Sequence, residues 1–238
     1  MQTVTALVIK HNKLVEACYD LNINEQKLLI YAISKINTDN DKFNIINIVV
    51  KDFVGLFDTV DERHTEIRNL AKSLKRRELL IQTERGELLT NWFSSIEYIR
   101  NEAIVEVEFS SKLIPYLLHI RDMYTQYNIK NIIHMKCKYS IRMYELLKQY
   151  EKIGKRTFTI PVLKRILGCS DKFNRFSDFD RRVLKPSIEE INNFTDIRVA
   201  TPKKIKNGRE IVQVGFVVAK KKVSNETLDM CYIPEEIE

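Results

Sequence analysis

The 238-residue chain has only six glycines and five prolines, too few for a collagen-like or Pro/Gly-rich disordered chain. Its four cysteines, Cys18, Cys137, Cys169 and Cys231, share no close spacing. They outline neither a disulfide framework nor a metal-binding run, and read as reduced thiols of a cytosolic protein. No uncharged apolar run approaches the roughly 18 residues that a membrane helix needs; LLIYAIS, residues 28–34, is among the longest. The opening MQTVTALVIKHNK lacks a secretory signal's long apolar core and small-residue cleavage site.

Catalytic motifs are scarce too. The four histidines, His11, His64, His119 and His134, lie far apart, so the paired histidines of a metal-dependent DNA-nicking site are missing. Gly154-Lys155-Arg156-Thr157 ends like a phosphate-binding loop, but Gln149 stands where the loop's first glycine belongs. His134 and Cys137 are spaced i, i+3, yet two ligands fall short of the four of a structural zinc site. Trp92, Phe93 and Tyr98 share a strand-like segment, where packing is a stronger expectation than base stacking. No enzyme activity, cofactor or metal is expected, neither nicking nor ATP hydrolysis.

Cationic charge is abundant, and it is unevenly placed. Residues 1–125 carry 16 Lys+Arg against 18 Asp+Glu, whereas residues 126–238 carry 23 against 14. The last 16 residues hold five acids and no cation, which leaves residues 126–222 at a net +14. A split of this size points one half of the chain toward a polyanion.

The order of elements repeats. In the first half, Asn24 is placed as the cap of a helix through Leu28, Leu29, Ala32, Ile33 and Ile36. KFNIINIVV reads as a strand, and a short helix through Phe53 and Phe57 follows. A second helix, over 62–77, buries Ile67, Leu70, Ala71 and Leu74 and exposes Arg68, Lys72, Lys75 and Arg76. The strands ELLIQTE and ELLTNWFSSIEYIR come next, then AIVEVEF with its alternating faces. The second half offers a helix (YSIRMYELLKQYEKIG), a strand (RTFTI), a short helix (PVLKRILG), a long helix and a hairpin turned near Asn207-Gly208. Helix, strand, short helix, long helix, hairpin is the order of a winged helix. The expected fold class is therefore α+β, two tandem winged-helix domains related by pseudo-duplication. Residues 1–125 form the N-terminal domain, 126–222 the C-terminal domain and 223–238 an acidic tail.

The long helix of the second half, RFSDFDRRVLKPSIEEIN (175–192), sets Phe176, Phe179, Val183, Leu184, Ile188 and Ile191 on one face. Arg175, Asp178, Arg181, Arg182 and Lys185 line another, with Ser177 placed as the cap and Pro186 expected to bend the helix. Arginine and lysine donate to guanine O6 and N7 or to phosphate, and a carboxylate accepts from cytosine. Asp178 is also spaced to pair with Arg182, so a solvated, salt-bridged face is the competing reading. The hairpin adds Lys203, Lys204, Lys206 and Arg209, with Lys220 to Lys222 after it. Stripe and hairpin together fit one duplex.

Four segments carry a family resemblance: residues 144–160 (YELLKQYEKIGKRTFTI), 163–199 (LKRILGCSDKFNRFSDFDRRVLKPSIEEINNFTDIRV), 203–211 (KKIKNGREI) and 14–34 (LVEACYDLNINEQKLLIYAIS). They resemble the theta-type plasmid replication initiators, the Rep proteins, over nearly the whole chain; residues 60–125 match mainly in pattern. The resemblance implies binding to double-stranded DNA repeats (iterons) at a plasmid origin, through the second winged helix in the major groove. It implies a first domain that contacts the DNA backbone and dimerises, with homodimer and monomer in equilibrium. Monomers would open the origin and recruit host replication machinery, such as the helicase or its loader. Dimers would repress their own gene at an operator inverted repeat. The setting would be the bacterial cytoplasm, with no membrane partner. A winged-helix transcriptional repressor without a replication role is the alternative. In the first domain, AIVEVEF and LIPYLLHI (113–120) are expected to offer the dimer surface.

Overall fold

The computed structural model describes residues 6–57, 64–99 and 102–221. The expected helix start at Glu62, Lys222, Cys231 and the acidic tail 223–238 lie outside the described residues.

Strand β1 (Leu7–His11) and helix α1 (Asn12–Val15) lead into α2 (Ile23–Ser34). The cap of α2 is Asn22 rather than Asn24. The Asn22 side chain accepts from the Glu25 N–H, and the Glu25 carboxylate accepts from the Asn22 N–H. This reciprocal pair satisfies two otherwise orphaned donors; Asn24 has no carboxylate three residues on. From Glu25 to Ile33 every residue of α2 is buried.

Strand β2 (Ile46–Val49), α3 (Val50–Phe57) and α4 (His64–Lys75) follow, then β3 (Glu78–Thr83) and β4 (Gly86–Asn91) as a hairpin with Thr83 opposite Gly86. Expected as one strand, ELLTNWFSSIEYIR is two. The chain breaks at Trp92, and β5 (Phe93–Ile99) joins a different sheet, of order β2-β6-β5 with β6 (Ile104–Phe109). Trp92 is fully buried, edge-on to Tyr19 at 5.1 Å between ring centres. It is core, as is Phe93. Helix α5 (Ile114–Leu117) and strand β7 (Tyr124–Asn128) complete the first half, and β7 runs antiparallel to β1. The expected division at 125/126 falls inside β7.

The second unit starts with α6 (Lys138–Lys148), buried throughout from Tyr139 to Leu147. Strand β8 (Lys155–Thr159) and α7 (Ile160–Ile166) follow; Pro161 sits in the first turn of α7, and Gly168 turns the chain after it with φ +64°. A Cβ on Gly168 would lie 2.7 Å from the Tyr19 carbonyl oxygen, so glycine is needed both for the left-handed backbone and for the close approach to the first half.

The long helix has three parts: α8 (Phe176–Phe179), a π turn (Asp180–Leu184) and α9 (Lys185–Phe194). Where a bend was expected at Pro186, a π turn stands just before the proline. Proline has no N–H to give the Arg182 carbonyl and its ring crowds that carbonyl; the helix widens, and the Lys185 N–H donates to the Asp180 oxygen five residues back. Val183 and Leu184 within the turn are both fully buried. The backbone before this helix is capped at Arg175, with Ser177 already inside the first turn. Strand β9 (Ile197–Val199) and the hairpin β10 (Lys203–Asn207) and β11 (Glu210–Lys220) close the unit. Strand β11 pairs with β10, β9 and β8, and the tight turn is Gly208-Arg209. Val214, Phe216 and Val218 face inward.

Helix, strand, short helix, long helix and hairpin thus occur twice, as tandem winged helices. One continuous cluster of buried residues, from Val8 to Val218, joins the two. Val105, Val107 and Phe109 of β6, with Leu113, Leu117 and Leu118, are part of the buried interior. Of the apolar side chains expected as a dimer surface, these six lie in the molecule's own core, while Ile104, Ile114, Tyr116 and Ile120 are only partly covered and Pro115 is exposed.

Candidate nucleic-acid interface

The α8–α9 helix presents its apolar side to the core through Phe179, Val183, Leu184 and Ile191, all fully buried. That fixes which side chains remain outside. Arg175, Arg181, Arg182 and Lys185 are exposed, and Asp178 is half-buried. Asp178 holds Arg181, three residues on, at 2.8 Å, rather than Arg182 as the spacing predicted. Among the described residues the side chains of Arg175, Arg182 and Lys185 have no hydrogen bond or ion pair. They are the free donors of the stripe.

The hairpin stands beside the helix. Lys206 and Arg209 are exposed at its end without a described partner. Lys203 is exposed opposite Gly215. Lys204 is different: its Nζ lies 2.8 Å from the Asp180 carboxylate and 5.2 Å from the centre of the Phe176 ring. Between the hairpin end, the start of α7 and residues 170–176 lies an open cleft of about 920 Å³, with Lys164, Arg175, Phe176, Arg209 and Gln213 on its walls. The Lys164 ammonium donates to the Phe173 carbonyl at 2.7 Å, which steadies the loop that carries Arg175. Phe173 itself has φ +59° and packs against Tyr139 and Phe179.

The first unit carries a sparser cationic face. Lys72, Lys75 and Arg76 are exposed and unpaired among the described residues, and the Arg68 guanidinium lies 5.4 Å over the Tyr98 ring. The opposite side of α4 is anchored by the buried Glu25, whose carboxylate accepts from Ser73 at 2.6 Å and from Arg77 at 2.9 Å. One acid therefore caps α2 and orients α4.

The sequence pattern did not disclose a buried polar cluster between the units. Glu145 on α6, fully buried, accepts from Lys10 of β1 at 2.6 Å, from Tyr127 at 2.5 Å and from Arg142 at 3.2 Å. Arg142 also donates to the Tyr19 hydroxyl at 2.6 Å and the Ala17 carbonyl at 2.8 Å. Burial alone would push the Glu145 carboxyl up; Lys10 and Arg142 outweigh it and hold the group below its ordinary value. Burial pushes Lys10 down against the pull of Glu145. At the rim, Asp20 takes Lys138 at 2.7 Å and Lys172 at 3.3 Å. One signal was present: Lys10 and Glu145 each interrupt an apolar run, in LVIKH and YELL. Their pairing across 135 residues was not. Among the described residues no group of three or more His, Cys, Asp or Glu is placed to hold a metal, and no helix is long and apolar enough to cross a membrane.

A helix with one side in the core and a cationic side outside, followed by a hairpin, is the arrangement of a winged helix, and it occurs twice here; in the second unit the hairpin is cationic as well. The chain belongs to the initiator replication (Rep) protein family. Residues 7–148 match the family's initiator replication protein WH1 model and residues 159–218 its initiator Rep protein WH2 model. A replication initiation protein of Escherichia coli is 24% identical over 214 residues, covering 83% of this chain and 66% of that protein. The chain thus spans just under two thirds of that relative's length. An uncharacterized 27.6 kDa protein of Escherichia coli is 22% identical over 208 residues, 80% of this chain and 86% of that protein. The crystal structure of the Pi initiator protein in complex with iteron DNA has the same fold, with a TM-score of 0.77 at 18% identity, over 92% of this chain and 99% of that one.

Proposed function

We propose that this protein binds repeated sites (iterons) at a plasmid origin and starts theta replication there without catalysing any reaction itself. The second winged helix reads the major groove, with Arg181, Arg182 and Lys185 directed at bases or phosphates. Arg175, Lys203, Lys206 and Arg209 hold the flanking backbone. The first unit grips phosphates through Arg68, Lys72, Lys75 and Arg76. The observation that carries this reading is the unpaired Arg182 and Lys185 on a helix whose other face is fully committed to the core. Nucleic-acid phosphates and base edges are the ligands such donors satisfy. The initiator family favours origin binding over a stand-alone repressor. Monomers that act at the origin, dimers that repress the gene at an inverted repeat, recruitment of the host helicase or its loader, and a cytoplasmic setting complete the proposal.

The test is to place the gene and its upstream repeats on a plasmid that lacks any other origin. Autonomous replication, lost when the repeats are scrambled, is the expected result. Repression of a reporter with no replication would leave a repressor, and neither outcome with normal folding would refute both. Stoichiometric attachment of a tyrosine to a cleaved 5′ end would overturn the non-catalytic reading.

A further inference from the structure

Of the hairpin lysines, Lys204 is in the wrong place for a phosphate ligand. Strand alternation explains why. Lys204 stands opposite Val214, which is fully buried, so it lies on the hairpin face that turns toward the helices. There it meets Asp180, whose side chain is only 13% exposed, at 2.8 Å. The lysine's other neighbour is the Phe176 ring, which packs on the buried Phe179. Asp180 also opens the π turn, its carbonyl receiving the Lys185 N–H. One residue thus holds the hairpin with its carboxylate and shapes the helix with its backbone. The ladder shifts register just beyond, between Ile205 and Lys206, and the free cations Lys206 and Arg209 lie on the far side of that shift.

We infer that Asp180 and Lys204 are positioning residues, an ion pair that ties the wing to the π turn of the reading helix and so fixes the spacing between groove and backbone contacts. The inference rests on the proposed DNA-reading role. It accounts for the acid Asp180 on a mainly cationic surface, as the Arg181 pair does for Asp178. An isolated Asp180 would only repel phosphate; a tethered one gives its charge to the wing.

Two measurements test it on the full chain. In the free protein, hydrogen exchange of the amides of 203–211 is followed in Asp180→Asn and Lys204→Met. Both variants are expected to exchange about two- to five-fold faster there, the scale of a partly exposed ion pair, with α6 unchanged. Binding is then measured on a duplex enriched by the wild-type chain from a random-sequence library and on its scrambled counterpart. Asp180→Asn adds a net positive charge, so as a bystander it would bind both duplexes more tightly with the same preference. The tether instead requires a loss of preference of about two- to five-fold in each variant, and no further loss in the double variant. Lys206→Met is expected to weaken both duplexes alike. Unchanged exchange in the hairpin, an unchanged preference in Asp180→Asn, or additive losses would overturn the tether. If the wild-type chain enriches no duplex, the sequence-reading role fails, while hydrogen exchange still decides the tether.

Discussion

Helices α4 and α8–α9 hold the same place in their units, after a short helix and before a hairpin, and both keep lysines and arginines on the outside. Their supports differ. Helix α4 is oriented from below by a buried carboxylate, Glu25, and its hairpin β3–β4 forms a sheet of two strands apart from β2. Helix α8–α9 rests on aromatic and aliphatic side chains, and its hairpin is knitted into β8 and tied back through Lys204. The surroundings differ as well: residues 1–125 are nearly neutral, and residues 126–222 carry a net +14. The second unit has its wing fixed on two sides and the charge to attract DNA, as a sequence reader requires. The first has a cationic helix on a more acidic body, which suits a backbone grip. On the proposed function the same element order carries two roles, separated by what the third helix and its hairpin are tied to.

The largest effect should come from breaking the joint between the two units. Glu145→Ala leaves Lys10 and Arg142 buried without their counter-charge, and removal of one partner from a buried pair costs about 3–5 kcal/mol. Urea unfolding is expected to show that loss and to report both units together, since one core runs through them. Acid acts on the same group. Because the folded Glu145 carboxyl is held below its ordinary value, its contribution is complete above the ordinary carboxylate range and is lost as pH falls through the lower, folded value. Glu145→Gln should flatten the pH dependence of stability in that window.

Arg182→Ala sharpens the comparison on the DNA side. Without a bidentate arginine–guanine pair, about 1–3 kcal/mol of discrimination disappears at one base position. The expected result is a weakened preference for the enriched duplex over its scrambled form, in a variant whose circular dichroism matches the parent. Arg181→Ala tests whether the Asp178 partner removes that residue from reading. Equal losses on both duplexes would make the stripe a backbone grip.

Asn22→Ala removes the cap of α2 and is expected to cost about 1 kcal/mol in urea unfolding. It should also loosen Glu25, and through it α4, without altering the second unit. Hydrogen exchange resolves the two helices.

The smallest effects are expected of the lysines proposed to neutralise phosphates. Lys72→Ala in the first unit and Lys206→Ala in the second should each weaken every duplex alike. Each should make log affinity fall less steeply with log salt, by about 0.9 for every phosphate no longer neutralised. A change of base preference in Lys72→Ala would break the division of roles between the units.

Much of this architecture was legible in the residues. The 3.6-residue spacing of Phe176, Phe179 and Val183, the alternation in β6 and β11, and the charge split all reflect local rules that hold wherever the segment lies. Differences arise where distant partners compete with local signals. Asn24 and Ser177 are acceptable caps by type, but Asn22 wins through Glu25 and the second helix begins at Arg175. The break at Trp92 follows from its need to bury against Tyr19, more than 70 residues earlier. AIVEVEF and LIPYLLHI were recognisable as apolar, but which of their side chains enter the core was not.

The sequence alone determined that there are two winged helices in series, that the second holds the excess positive charge, and that one helix in it has a cationic side opposite an apolar one. Periodicity and charge are properties of short segments, so no partner is needed to read them. Tertiary structure decided which of those cations are free. Among the described residues Lys204 and Arg181 are held by acids while Arg182 and Lys185 are not, and Glu145 finds Lys10 only because α6 packs against the first strand. A charged group's role depends on what stands within a few ångströms of it, and that distance is set by the packing of the whole chain.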